Sequence, residues 1–153
     1  MHLHDYILPG LAYYQVLRET GFSQEQAIEK IDDLFDWFGA RGQKRFRLLG
    51  RLPFIYSLLR LIIKPFMRQY PEPGWEIEWV ENSPNAIRFN MKKCYYYKTL
   101  TDLGAPELTA SFCRIDDLVY ENLSPRMIWQ RTETIGRGNE LCNFCFFKTK
   151  VKE

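Results

Sequence analysis

A chain of 153 residues that is 46% hydrophobic and 26% charged suits one domain with a single buried core, and it is too apolar for disorder to be its default state. A formal net charge of +2 is too small to imply a nucleic-acid partner, and none is expected. Aromatic residues, at 16%, are in excess, and large rings both fill cores and wall small-molecule pockets.

The opening MHLHDYILPG has no basic stretch followed by an apolar run, so no secretory leader is expected. The greasiest segment, 52–63, is interrupted by Ser57 and Arg60 and is too short to span a bilayer. Four cysteines without an export signal read as reduced thiols with no disulfide, and the expected compartment is the cytoplasm. The two histidines, His2 and His4, stand at the N-terminus, where a frayed end is expected ahead of metal binding. Ser-His-Asp or Cys-His chemistry elsewhere in the chain and a His-based zinc site are thereby excluded, which leaves catalysis to Cys, Asp, Glu, Lys, Arg or Tyr.

In chain order, Pro9 suits the first turn of a helix running to about Glu19, with Gly21 as its stop. Ser23 and Gln26 form a capping-box pattern for a second helix. Its apolar positions Ala27, Ile28, Ile31, Leu34, Phe35 and Phe38 recur at helical spacing. Residues 41–68 carry Arg41, Lys44, Arg45, Arg47, Arg51, Arg60, Lys64 and Arg68 and no acidic residue. Pro53 is expected to open a helix there that Pro65 ends or kinks after Ile63. Such a segment can lie on an anionic membrane or grip an acidic partner. The preferred expectation is a core helix whose cations are solvated or paired with the preceding Asp-rich helix.

After Pro71-Glu72-Pro73-Gly74 the period changes to two. Trp75, Ile77 and Trp79 alternate with Glu76 and Glu78 in a first strand. Asn82-Ser83-Pro84-Asn85 turns the chain into a second strand through Ile87, Phe89 and Met91 towards Tyr97. Pro106 opens a helix with Leu108, Phe112, Ile115 and Val119 on one face, ended by Ser124-Pro125. A third strand is expected over 127–135, a tight turn at Gly136-Arg137-Gly138-Asn139, and a fourth strand over 141–148. The predicted fold is α+β: a single domain over 1–153, with a helical part (1–70) followed by a sheet-and-helix part (71–150). The latter is a four-stranded antiparallel sheet with an inserted helix, in the order β-β-α-β-β, one face covered by helices.

On regular alternation Cys94 faces away from the core side of the second strand, and a bulge in Lys92-Lys93-Cys94 would reverse that. Cys113 and Asp116 stand three apart and share a helix face, with Asp117 and Tyr120 near the same edge. Cys142 and Cys145 form a CxxC, but on a strand their side chains diverge, so no metal is expected there. Taken singly, each cysteine reads as a small buried hydrophobe and Asp116 as a solvated helix residue. Cys94, Cys113, Asp116, Arg131 and Cys142 on neighbouring elements form a candidate site.

Cys94, Leu103-Gly104-Ala105-Pro106-Glu107-Leu108, Cys113-Arg114-Ile115-Asp116, Arg131-Thr132-Glu133-Thr134-Ile135-Gly136 and Gly138-Asn139-Glu140-Leu141-Cys142-Asn143-Phe144 follow one another in an order that resembles the L-2-amino-thiazoline-4-carboxylic acid hydrolase family. The likeness spans most of the chain and is specific over 70–150. Where the family pattern favours an acidic residue after the last cysteine, this chain has Asn143. The resemblance implies a hydrolase of cysteine metabolism that opens the cyclic C–N-bonded ring of L-2-amino-thiazoline-4-carboxylate to a carbamoyl-cysteine, with no cofactor and a small-molecule substrate as its partner. The chemistry of the residues then suggests Asp116 as base, Cys113 or Cys142 as nucleophile and Arg131 as fork for the substrate carboxylate, with Cys94, Thr132 and Asn143 as further substrate contacts. The element order also resembles the small-molecule-binding domains related to 4-vinyl reductase, which implies the alternative of a sensor module without turnover.

Overall fold

The computed structural model describes residues 2–121 and 123–149; the side chains of Arg45 and Phe46 lie outside that description, and with them the contribution of Arg45 to the basic segment. A π-helical turn, Leu3–Ile7, runs into helix α1 (Leu8–Glu19), with Pro9 in its first turn. Gly21, at φ 97°, follows it in the left-handed region open to glycine. The capping box starts α2 (Gln24–Gly50) as expected: Gln26 N donates to Ser23 Oγ at 3.2 Å, and Ser23 N donates to Gln26 Oε1 at 2.9 Å. α2 continues unbroken into the basic segment. Helix α3 (Ile55–Met67) then runs through Pro65 rather than ending after Ile63. The amide missing at Pro65 leaves only the carbonyl of exposed Leu61 without its helical partner, and water can satisfy it.

The change to strand periodicity produces β1 (Glu76–Asn82) and β2 (Ala86–Lys93). Among the described residues, β3 (Met127–Gln130) and β4 (Cys142–Lys148) complete one four-stranded antiparallel sheet in the order β1-β2-β4-β3. The fold is therefore α+β, helices first and an antiparallel sheet after. The second strand does not reach Tyr97, because the chain turns after Lys93 into α4 (Tyr95–Asp102). A 3₁₀ turn, Pro106–Leu108, leads into α5 (Thr109–Tyr120), which stops short of Ser124-Pro125. The third strand ends at Gln130, and residues 131–134 run irregularly to a 3₁₀ turn, Ile135–Arg137. Asn143 explains the early end. Its Oδ1 accepts from the amides of Thr132 and Glu133, both at 2.9 Å, so a side chain takes the place of ladder bonds.

Two hydrophobic cores result. One joins α1, α2, α4 and α5 through Leu11, Ile31, Leu100, Leu108 and Phe112. The other lies between α3 and the sheet and contains Tyr56, Ile63, Ile87, Phe89, Phe144 and Phe146. Phe89 and Phe144, register partners on the central strands, stack with centroids 4.7 Å apart. Tyr95 and Tyr96 pack against both cores.

α5 lies along α2 at glycine positions. Gly39 faces Leu118, and Arg114 donates from Nε and Nη2 to the two carboxylate oxygens of Asp36 at 2.7 and 2.8 Å. Gly50 sits so near the Leu123 carbonyl that any Cβ would collide with backbone, whereas at Gly42 the nearest atom to a Cβ is Val119 Cγ2 at 3.9 Å. Gly50→Ala is expected to destabilise by about 1–3 kcal/mol through forced backbone movement. Gly42→Ala should be neutral or stabilising by up to about 1 kcal/mol through helix propensity. Thermal denaturation of the two variants measures the contrast.

Candidate active site

A cavity of about 400 Å³ lies between the two cores, roofed by Phe112 and Ile115 on one side and floored by Phe89, Met91 and Phe144 on the other. Cys94, Cys113, Asp116, Arg131 and Cys142 all line it. Each arrives by a different local device. Cys113 and Asp116 come from one face of α5. Cys142 starts β4 on its buried face beside Met91, its register partner, and its sulfur accepts from the Ile135 amide at 3.3 Å. Cys94 is turned inward by a bulge. Met91 pairs with Ile77 and Lys93 with Glu76, so Lys92 is an extra residue that reverses the alternation after it. Cys145 points to the opposite face of β4 from Cys142, as strand geometry requires.

Thr132 and Asn143 are not brought to the cavity. Asn143 alternates to the other face of β4, where its Nδ2 donates to Thr132 Oγ1 at 2.8 Å, so the two hold the 131–134 segment together instead of contacting the cavity contents.

Arg131 is the hub. Its side chain is 1% exposed. Nη1 donates to Asp116 Oδ2 at 3.0 Å, and Nη2 donates to Asp117 Oδ2 at 2.9 Å and also to the Cys113 carbonyl. The guanidinium lies 5.3 Å from the Phe144 ring centre. Both terminal nitrogens are thus engaged by the protein, which leaves no open fork for a substrate carboxylate, while the buried Nε has no partner among the described residues. Asp117 is also bound on its second oxygen, which accepts from Trp129 Nε1 at 3.2 Å. Asp116 differs. Its side chain retains 45% of its accessible area, and that area opens into the cavity. Burial raises its pKa above the ordinary 3.8, outweighing the opposing pull of Arg131.

The thiols of Cys94, Cys113 and Cys142 are each pushed up to about 11, chiefly by burial, and are therefore neutral at physiological pH. Tyr70, Tyr96 and Tyr120 also line the cavity with their pKa values raised by burial, so they remain hydroxyl donors. Helix spacing marked Tyr120 near the edge of the Cys113–Asp116 face, whereas for Tyr70 the aromatic excess was the only signal.

The N-terminus corrects an expectation. His2 is helical, not frayed, and lines the same cavity as the cysteines. Its Nδ1 lies 3.0 Å from Tyr96 Oη, and its ring meets Trp75 edge-on at 4.9 Å. Burial holds it below its ordinary pKa, so it is a neutral imidazole. Distance along the chain was no ground for excluding a histidine from the site.

The family model for L-2-amino-thiazoline-4-carboxylic acid hydrolase matches residues 1–146. The chain belongs to this family. No curated protein and no solved structure matches it. The family's name points to hydrolysis of the thiazoline-carboxylate type, and the match extends through the N-terminal helices that bring His2 to the cavity.

Asp116 titrates above its ordinary value in the folded state. It therefore contributes stability that is fully present below 3.8 and lost as the pH rises through the raised value. Arg131→Met leaves two carboxylates without their buried cation and is expected to cost about 3 kcal/mol at neutral pH. Part of that loss should be recovered near about pH 4, because Asp116 then folds as the neutral acid. Chemical denaturation at the two pH values measures the difference.

Proposed function

We propose that the cavity binds and hydrolyses a small planar cyclic isothiourea, L-2-amino-thiazoline-4-carboxylate, with Asp116 as the general base. The observation that carries this reading is a carboxylate held on one oxygen by a buried arginine while its remaining surface opens into an aromatic-walled cavity. The amidine edge of such a ring offers N–H donors that match a carboxylate, and its flat faces suit a cavity walled by aromatic rings. The tyrosine hydroxyls supply donors for the substrate carboxylate, in the field of the Arg131 cation. Neutral His2 supports this arrangement by holding Tyr96 at 3.0 Å.

In the reaction, Asp116 takes a proton from water as the water oxygen bonds to the ring carbon that carries both nitrogen and sulfur. The C=N π pair moves onto nitrogen, which takes that proton from Asp116. As the tetrahedral adduct collapses, Asp116 takes its hydroxyl proton while C=O forms and one ring bond breaks, and it passes that proton to the departing atom. Departure of nitrogen leaves the S-carbamoyl product, and departure of sulfur leaves N-carbamoyl-cysteine. One water balances either course. A raised carboxyl pKa suits both halves of this cycle, since the group must accept and then release a proton near neutral pH. Cys94, Cys113 and Cys142 enter the proposal as a neutral, polarisable wall and not as nucleophiles, because burial opposes the thiolate that attack requires. The same neutrality is what favours the second reading, a ligand-binding module without turnover.

Purified protein given L-2-amino-thiazoline-4-carboxylate is expected to release a carbamoyl-cysteine, identified by mass spectrometry and NMR. Asp116→Asn should stay folded, since Arg131 keeps Asp117, and should lose at least about a hundredfold in kcat. Serine at Cys113 or Cys142 should retain activity within about tenfold, against the loss of several orders of magnitude expected for a nucleophile. The kcat/KM profile should rise with pH through a value above the ordinary carboxylate range. A folded, fully active Asp116→Asn variant would remove Asp116 from the mechanism. Wild-type protein that binds the substrate and never turns it over would select the binding module.

A further inference from the structure

Helix α3 is apolar on two opposite sides. Tyr56, Ile63 and Met67 face the core, as a helix packed on a sheet requires. Leu58, Leu61, Ile62 and Pro65, at positions i, i+3, i+4 and i+7, form a second stripe, and all four are exposed. Leu61 is 74% exposed and Phe54, just before the helix, 55%. Single exposed apolar residues are ordinary, but a continuous stripe of large ones is not.

Between the two apolar sides runs a third stripe, Arg60, Lys64 and Arg68, spaced i, i+4, i+8 and exposed. None of the three forms an ion pair among the described residues. The Asp-rich part of α2 does not neutralise them, since Asp36 is taken by Arg114 and Asp33 by Lys30. The end of α2 carries the same mixture, with Leu48 70% exposed and Arg47 and Arg51 beside it.

We propose that α3, with the preceding Phe54 and the end of α2, docks this protein peripherally on an anionic lipid surface. Exposed leucine, isoleucine and phenylalanine enter the acyl boundary while the flanking cations meet lipid phosphates and carboxylates. Charge decides the occupant. A second copy of this chain would bring the same acid-free 41–68 segment against itself, cation facing cation. The contact is peripheral, because among the described residues no helix is long and apolar enough to cross a membrane. Phe66, exposed on α3, also lines the cavity, so the docking face adjoins its mouth. The inference is independent of the catalytic reading.

The test is co-sedimentation of the full chain with vesicles of phosphatidylcholine alone and of phosphatidylcholine mixed with phosphatidylglycerol, at low and high salt. Binding is expected only to the anionic vesicles and should weaken with salt. Each cation removed should lower partitioning about fivefold, so Arg60→Glu/Lys64→Glu/Arg68→Glu should lose more than about a hundredfold. Leu61→Asp should also release the protein. Both variants alter exposed side chains, and an unchanged melting temperature confirms that they fold. Absence of sedimentation, or equal binding to neutral vesicles, overturns the proposal. So does a dimer in analytical ultracentrifugation that Leu61→Asp dissociates, since that would make a second copy the occupant.

Discussion

Burying one guanidinium almost completely obliges the protein to bring anions to it, and the structure around Arg131 follows from that obligation. Adjacent residues on a helix point in different directions, so Asp116 and Asp117 can both reach the same cation only if Arg131 enters along the edge of α5 between them. That requirement holds the second half of α5 against the end of β3, and the Trp129 indole on Asp117 reinforces it. It also makes the two carboxylates unequal. Asp117 is bound on both oxygens and serves the fold, whereas Asp116 keeps accessible surface towards the cavity and titrates above its ordinary range. A structural salt bridge and a chemically available carboxyl are thus two aspects of one arrangement.

The cavity exists because the two cores do not merge. Helices α1, α2, α4 and α5 bury their apolar faces on one another, while α3 and the sheet form a second core. The seam between them is spanned by Tyr95 and Tyr96. Large rings reach across such a gap without closing it, which is where the aromatic excess of the sequence is used. The same low-polarity surroundings keep three cysteines as thiols and the tyrosines as phenols, so the site offers neutral donors around a single carboxyl whose charge state is adjustable.

Helix α3 links the interior to the outer surface. Its inner side closes the sheet core and, through Ile63 and Met67, forms part of the cavity wall, while its outer side has no partner in the described chain.

Local rules carried much of the architecture. The capping box at Ser23, the change of period after Gly74, the helix pairing of Cys113 with Asp116 and the divergence of Cys142 from Cys145 all depend on near neighbours in the chain, and each is found in the structure. Local rules failed where distant residues compete for the backbone. Residues 131–134 look like a strand, but the Asn143 side chain takes their amides. The run after Lys93 looks like strand continuing to Tyr97, but packing of Leu100 into the helical core makes it α4. Cys94 faces inward only because Lys92 has no partner on β1, a matter of register between strands. His2 reaches the cavity because the first helix folds back over Tyr96 and Trp75. The sequence by itself determined the helix starts, the strand alternation and the set of residue types available for chemistry, since those depend on spacing along the chain. Tertiary structure alone decided which carboxylate stayed accessible, which way Cys94 pointed and that the site lies between two cores, since those depend on contacts between residues far apart in sequence.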